Sequence, residues 1–167
     1  NPFLLKSLSP AQMNNLMFDT LMTRSLDEPS SSYALVADSY KLSKDKLSVT
    51  YFIDDSAEFS NGNRVTAYDV KFSFDLLMSE SAHPQYRIYW SDIDSVVVQD
   101  EMTIKFNFKR KNPELHMIIG DLPIFSRGWL SSEEFSESFR KEPIASGPYT
   151  IKTYEVGKYI IYERNQN

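Results

Sequence analysis

The fold of this chain is decided by the stretch FSNGNRVTAYDVKFSFDLLMS, residues 59–79. Asn61-Gly62 is a turn signal, because glycine readily adopts the left-handed backbone that such turns require. Thr66 and Asp69 have the spacing of a capping box, with Asp in place of the usual Glu. Apolar residues then lie on more than one side of the predicted helix, which extends to about Ser79. The stretch therefore predicts a turn followed by a helix that is covered on several faces.

Hairpins are predicted on both sides of this helix, because apolar and polar residues alternate there with a period of two. They pair residues 40–42 with 47–53, 96–98 with 104–108, and 149–154 with 159–162. Further helices are predicted over 9–24, over 115–119 with a stop at Gly120, and around 135–139. Hairpins without regular strand–helix–strand crossovers indicate an α+β fold with a largely antiparallel or mixed sheet.

Composition limits the function classes that need to be considered. The chain has 167 residues, a formal net charge of −5, 41% hydrophobic residues and no cysteine. A single domain of this length can bury a core without disulfides, and an acidic chain is not typical of a nucleic-acid binder. No apolar run is long enough to cross a bilayer. The chain opens on Asn-Pro-Phe without a leader, so we expect a processed or trimmed chain from which the signal sequence is absent.

Three stretches of the chain, taken in order, carry a family resemblance. They are LVADSY at 35–40 with LSVTYFI at 47–53, FSNGNRVTAYDVKFSF at 59–74, and SGPY at 146–149 closing with YERN at 162–165. Together they resemble the family 5 extracellular solute-binding proteins of ABC importers, the group that binds peptides and nickel. A fourth run, FDTLMTRSLDEP at residues 18–29, is similar to the Yej-type branch, which binds peptides and peptide-like antibiotics.

The resemblance implies a fold, a role and partners. It implies that residues 1–167 are a single N-terminal lobe region of a larger two-lobe protein, with the periplasmic-binding-protein fold of the class II, or cluster C, type. The implied role is non-enzymatic capture of a peptide or peptide-like solute, in the periplasm or outside the cell, without a cofactor or bound metal. The implied partners are the solute, the transporter permease and the missing second lobe of the same chain.

The stretch HPQYRIYW, residues 83–90, holds most of the candidate ligand-binding residues. Aromatic rings offer contact area at a low cost in entropy, and arginine can hold a carboxylate through two parallel hydrogen bonds. Some family members carry an Arg-x-x-Trp that touches the ligand, and Arg87 and Trp90 match that spacing. Tyr86 and Tyr89 complete this candidate set. The alternative is that the rings belong to the core and that Arg87 lies at a solvated edge.

Other segments also carry candidate sites. Leu122 and Pro123 begin a short apolar run where the family places a cleft-lining strand, although a buried strand is an equally natural interpretation. Residues 1–5 correspond to a family segment that approaches the cleft. The SGPY stretch is interpreted as a structural turn in which Gly147 supplies an unusual backbone angle.

Charged clusters give weaker signals. Lys105, Lys109, Arg110 and Lys111 suggest a phosphate-binding surface, but a solvated face fits an acidic chain better. The adjacent pair Asp54-Asp55 is a poor catalytic dyad, because neighbouring strand residues point to opposite faces. Glycine-rich phosphate loops and a nucleophile elbow are absent from the sequence.

Two other functions remain open at this stage. One is binding of a metal chelate or another small anionic solute within the same family. The other is a structural or interaction module that keeps this lobe without capturing a solute.

Overall fold

The computed structural model describes residues 3–4, 12–28, 31–129, 135 and 142–166. Within these ranges the chain forms helices α1 (Met13–Met17), α2 (Ala67–Met78), α3 (Gln85–Tyr89) and α4 (Leu115–Gly120). The strands are β1 (Met22–Arg24), β2 (Ser32–Ala34), β3 (Ala37–Leu42), β4 (Ser48–Ile53), β5 (Ile93–Asp100), β6 (Thr103–Phe108), β7 (Tyr149–Glu155) and β8 (Tyr159–Arg164).

The strands form three sheets, and every strand pairing in the described part of the chain is antiparallel. The largest sheet has four strands in the order β3-β4-β6-β5, while β1-β2 and β7-β8 are separate two-stranded sheets. The predicted α+β class is confirmed. The three predicted hairpins are confirmed as well, and Val96 lies opposite Phe106 while Val98 lies opposite Ile104, as the alternation requires.

The inner face of the four-stranded sheet forms the centre of the core. Val49, Tyr51, Ile104 and Phe106 are completely buried on this face, and α2 packs against β5 and β6. Helix α2 is buried on several sides, as the apolar residues in its sequence predict. Side chains alternate between the two faces along each strand. The residues next to these buried ones therefore lie on the other face of the sheet, towards solvent.

The predicted capping box forms at the start of α2 and also anchors a distant segment. The Asp69 carboxylate accepts hydrogen bonds from the Thr66 hydroxyl at 2.6 Å and from the Thr66 N–H at 3.1 Å. Its other oxygen accepts the backbone N–H of Arg127 at 3.1 Å. One turn later, the Ser73 hydroxyl accepts the Phe125 N–H at 2.7 Å. Helix α2 therefore fixes the path of residues 125–127 through buried hydrogen bonds.

The prediction of one helix over 9–24 is wrong at its carboxyl end. Helix α1 covers only Met13–Met17, and Met22–Arg24 is strand β1, paired with β2. The apolar residues recur at helical spacing because Met13, Met17, Leu21 and Met22 are all buried. The first two lie in α1, and the last two lie in the extended segment at the start of β1. Burial alone does not distinguish these two cases in a short apolar run.

Several predictions fall partly or wholly outside the described residues. The first residues of the predicted helix over 9–24 lie outside them, as does most of the predicted helix over 135–139. Of residues 1–5, only Phe3 and Leu4 are described, and both are buried. Helix α4 forms as predicted and extends through Gly120.

Candidate functional site

The aromatic stretch after Pro84 forms a short helix, α3. Its Arg87 guanidinium donates a hydrogen bond to the backbone oxygen of Ser79, the residue that ends α2. Arg87 is half-buried by this contact. Its side chain therefore fixes α3 against the end of α2, and ligand contact by Arg87 stays a prediction.

Trp90 lies in the core directly after α3, with 2% of its surface exposed. Its ring stacks on Tyr86 at a centroid distance of 5.5 Å and an interplanar angle of 18°. Its indole N–H donates to the Ile118 carbonyl at 3.2 Å, which links α3 to α4. This position matches the packing interpretation of the ring, and ligand contact by Trp90 stays a prediction.

The second candidate segment crosses the core beside α1. Leu122 is completely buried, and Pro123 forms an isolated antiparallel bridge with Thr20. The next residue, Ile124, donates its N–H to the Asp19 carbonyl at 2.9 Å. The segment is therefore a buried, extended piece of chain held by single bridges, and ligand contact by Leu122 and Pro123 stays a prediction.

A polar network joins the two candidate segments at the surface. The Tyr89 hydroxyl donates to the Asp121 carboxylate at 3.1 Å, one residue before Leu122. Arg24, in β1, approaches the same carboxylate with Nε at 2.9 Å and Nη2 at 2.7 Å. Hydrogen bonding to Asp121 raises the pKa of Arg24. Burial raises the pKa of Tyr89, and the nearby Asp121 charge adds to this effect.

Sequence reasoning missed Arg24 and Asp121, because nothing in their local sequence marks them. Arg24 was assigned to a helix, and Asp121 follows a helix stop 97 positions away. Only the tertiary fold places both residues beside Tyr89.

An apolar pocket of about 400 Å³ lies against the exposed side of α3, lined by Gln85, Tyr86, Ile88 and Tyr89. Ile88 is 75% exposed and Tyr89 is 47% exposed, which is unusual for large apolar side chains on one short helix. Tyr89 contributes to the pocket and to the polar network at once. The pocket and the polar network together offer a ring surface beside a guanidinium and a carboxylate, which suits a solute with apolar and charged parts.

A second cleft, of about 420 Å³, lies where the chain returns to α1 before β7. Its lining includes Asp19, Glu58, Gly147, Arg164 and Asn165. Burial raises the pKa of Asp19 to about 6. The side chain therefore changes charge in a range where an exposed aspartate is already ionised.

Replacing Asp19 with Asn is expected to change how stability depends on pH. Because the folded-state pKa exceeds the unfolded value, the folded protein holds an extra proton between about pH 4 and pH 6, and stability falls as pH rises through this range. In Asp19→Asn this loss disappears, so relative to wild type the variant should gain about 1 kcal/mol between pH 4 and pH 7, after allowance for solvent screening. Urea denaturation at several pH values measures the difference.

The control for this experiment is Glu58→Gln, which removes a carboxylate from the rim of the same cleft. Parallel pH profiles for wild type and Asp19→Asn would show that the Asp19 carboxyl does not retain a proton in the folded protein.

The described residues contain no group of three or more His, Asp or Glu side chains placed to hold a metal ion. Within the same part of the chain, no helix has both the length and the apolar character needed to cross a bilayer.

Comparison with known proteins agrees with the motifs. A family model described as bacterial extracellular solute-binding proteins, family 5 middle, matches residues 32–167. The chain belongs to this family. The uncharacterized protein YejA of Escherichia coli is 31% identical over 156 residues, which are 93% of this chain and 26% of YejA. The peptidoglycan-binding protein YepA of Agrobacterium fabrum is 32% identical over 99% of this chain and 28% of YepA. The predicted resemblance to the Yej-type branch is confirmed.

Solved family 5 structures share the fold. NikZ from Campylobacter jejuni, solved in complex with Ni(L-His), has a TM-score of 0.80 and 26% identity over 99% of this chain and 33% of NikZ. DppA from Helicobacter pylori, solved in complex with the peptide STSA, has a TM-score of 0.76 and 24% identity over 98% of this chain. DppA is described as an ABC transporter-associated periplasmic binding protein. The chain spans 26–28% of the length of the curated relatives.

Proposed function

We propose that this chain is the N-terminal lobe region of a two-lobe solute-binding protein that captures peptides or peptide-like solutes for an ABC importer. The observation that carries the proposal is the apolar pocket on α3, whose Tyr89 also hydrogen-bonds to Asp121 beside Arg24. A relative described as a probable peptide-binding protein, YejA of Agrobacterium fabrum, supports the peptide class.

In this proposal the predicted site residues divide into two groups. Tyr86 and Tyr89 line the pocket and would touch the solute. Arg87, Trp90, Leu122 and Pro123 would support them from behind: Arg87 and Trp90 hold α3, while Leu122 and Pro123 hold the chain beside Asp121. Rings pack against solute side chains, and the exposed guanidinium of Arg24 and the Asp121 carboxylate meet charged ends of a peptide.

In this proposal, solute binding is passive and involves no covalent step. The missing second lobe closes over the solute by a hinge motion, and the closed form delivers it to the permease. A single lobe offers only one wall of the cleft, so we expect this chain to bind peptides no more tightly than the millimolar range, or about −4 kcal/mol.

A second candidate function is binding of a metal chelate. NikZ, whose structure contains Ni(L-His), resembles this chain over 99% of its length. A chelate of this kind is small and carries carboxylates, so Arg24 could contact it beside the same tyrosines.

A heteronuclear NMR titration tests the proposal, because it detects millimolar binding. Pooled tripeptides to pentapeptides should shift the amide signals of α3 and Asp121, while Ni(L-His) at the same concentration should shift them less. Tyr89→Ala should weaken peptide binding about five- to tenfold, since an exposed ring that contacts a ligand contributes on the order of 1 kcal/mol. The matched control is Tyr159→Ala, because Tyr159 is 51% exposed and lies in a different sheet.

Each alternative has its own outcome in this titration. Larger shifts with Ni(L-His) than with peptides would favour the chelate. Shifts with neither ligand, or equal effects of the two tyrosine variants, would contradict the assignment of the site to α3.

A further inference from the structure

The outer face of the four-stranded sheet carries lysines at matching positions on its strands. Strand register places Lys41, Thr50, Lys105 and Val97 in one row across β3, β4, β6 and β5. The neighbouring row contains Ser39, Phe52, Thr103 and the acidic Asp100. Lys41, Thr50, Lys105, Val97 and Phe52 form what we call the basic face. It lies opposite the buried side chains of Tyr51, Ile104 and Phe106.

One end of the sheet extends the positive charge of the basic face. The β3–β4 turn and the segment after β6 both lie at this end, because Leu42 pairs with Val49, and Ser48 pairs with Asn107. Together with the basic face, this end holds seven of the 18 Lys and Arg residues and three acidic ones. The basic residues are Lys41, Lys44, Lys46, Lys105, Lys109, Arg110 and Lys111, and the acidic ones are Asp45, Asp92 and Asp94.

Most of this positive charge is available to a partner. Arg110 forms a two-point ion pair with Asp92 at 2.7 and 2.8 Å, and Lys109 donates to the Ser91 carbonyl. Among the described residues, the ammonium groups of the other five lysines, Lys41, Lys44, Lys46, Lys105 and Lys111, take part in no side-chain hydrogen bond or ion pair. Of these, Lys111 lies near enough to Asp45 for its charge to help lower the pKa of that carboxyl. The sequence groups only Lys105, Lys109, Arg110 and Lys111, and the fold adds Lys41 from β3 and Lys44 and Lys46 from the β3–β4 turn.

Apolar side chains lie among these lysines. Phe52 is 37% exposed and Val97 is 47% exposed on the same face of the sheet. Phe52 lies two residues beyond Thr50, and Val97 lies directly opposite Lys105. A flat surface that combines long cationic side chains with a ring and a branched apolar residue has the composition of a membrane-interface surface.

We propose that the basic face and the adjoining lysines dock on an anionic lipid surface. Lysine is a flexible point charge that suits a plane of headgroups, whereas arginine suits the fixed geometry of a single bound phosphate. The residues lie on an open sheet face and not in a pocket, which again favours an extended anionic surface. Since the chain as a whole carries −5, attraction at this face and repulsion elsewhere fix one orientation. This proposal is independent of the solute-binding site on α3.

Co-sedimentation with lipid vesicles tests the proposal on the full chain. We expect binding to vesicles of phosphatidylcholine and phosphatidylglycerol in equal amounts, none to phosphatidylcholine alone, and release at about 1 M salt, where the screening length is about 3 Å. The triple variant Lys41→Gln, Lys105→Gln, Lys111→Gln should bind about a hundredfold more weakly, since each lysine near such a surface contributes about fivefold.

The matched control is the triple variant Lys71→Gln, Lys152→Gln, Lys158→Gln. It removes the same charge from α2 and from the β7-β8 hairpin, and each of these lysines lies in an ion pair outside the basic face. It should bind within about twofold of wild type, because charges beyond a screening length act weakly. Thermal unfolding of both variants verifies that they remain folded.

Two further measurements separate a lipid surface from an acidic protein. Phe52→Thr, which keeps a residue suited to strands, should weaken vesicle binding several-fold without altering its salt dependence. Soluble polyglutamate should not displace the chain from vesicles at equal charge concentration. The proposal is overturned by absent vesicle binding, by equal loss in the two triple variants, by unchanged binding of Phe52→Thr, or by full displacement with polyglutamate.

Discussion

Replacing Trp90 with alanine is expected to destabilise the folded protein by about 3–5 kcal/mol, the cost typical of removing a fully buried aromatic side chain. The ring is 2% exposed and contacts three other rings, those of Tyr86, Tyr89 and Phe74. The substitution leaves a cavity between α3 and α4 and deprives the Ile118 carbonyl of its donor. Urea denaturation followed by circular dichroism measures the loss.

The sequence alone leaves open whether Trp90 contacts a ligand or belongs to the core. A ligand-contacting Trp90 could be truncated with loss of binding and without unfolding, whereas a buried Trp90 cannot. Trp90→Phe serves as a control, because it keeps a ring in the core and should cost less than half as much. Tyr89→Ala, at an exposed position, should cost under about 1 kcal/mol. If Trp90→Ala unfolds at the same urea concentration as wild type, Trp90 is not part of the core.

Local signals in the sequence predicted much of the fold correctly. The alternation of Val96 and Val98 against Ile104 and Phe106 predicted a hairpin that the structure reproduces. The capping-box spacing of Thr66 and Asp69 placed the start of α2 correctly. Such features depend on residues close in sequence or on a strict period of two, so they can be predicted from the local sequence.

The features that the sequence did not reveal depend on contacts between distant residues. Strand β1 forms because Met22–Arg24 finds a partner in β2 after an intervening loop, and its apolar residues fit a helical pattern equally well. The cluster of Arg24, Asp121 and Tyr89 draws on three separate elements. No local sequence pattern indicates that these three residues are in contact, so the candidate site could be predicted only as separate segments.

The SGPY stretch shows how a correct motif can be given the wrong physical reason. Gly147 was expected to supply an unusual backbone angle, yet positive φ angles among the described glycines occur at Gly62 and Gly157. What Gly147 provides is close approach. A β-carbon built there would lie 2.5 Å from the backbone carbon of Met17 and 2.7 Å from the backbone oxygen of Leu16.

Gly147→Ala is therefore expected to destabilise the protein by about 3 kcal/mol or more, at the upper end for overpacking. The contacted atoms belong to the backbone at the end of α1, so no rotamer change can relieve the overlap. The chain must instead move apart where the Gly147 N–H donates to the Met17 carbonyl at 2.8 Å and where Asn165 donates to the Gly147 carbonyl at 3.2 Å. Hydrogen exchange should show the first loss of protection at these contacts.

Two glycine variants separate close approach from backbone strain. Gly128→Ala adds a β-carbon that lies 3.4 Å from the nearest heavy atom, the Ser126 hydroxyl oxygen, so it should change stability by under about 0.5 kcal/mol. Gly157→Ala places a β-carbon in open space at a positive φ, and should cost about 1 kcal/mol from backbone strain alone. A cost for Gly147→Ala no greater than that of Gly157→Ala would mean that α1 and the start of β7 can separate freely. The hairpin β7-β8 would then be attached to the core by its connecting chain and not by packing.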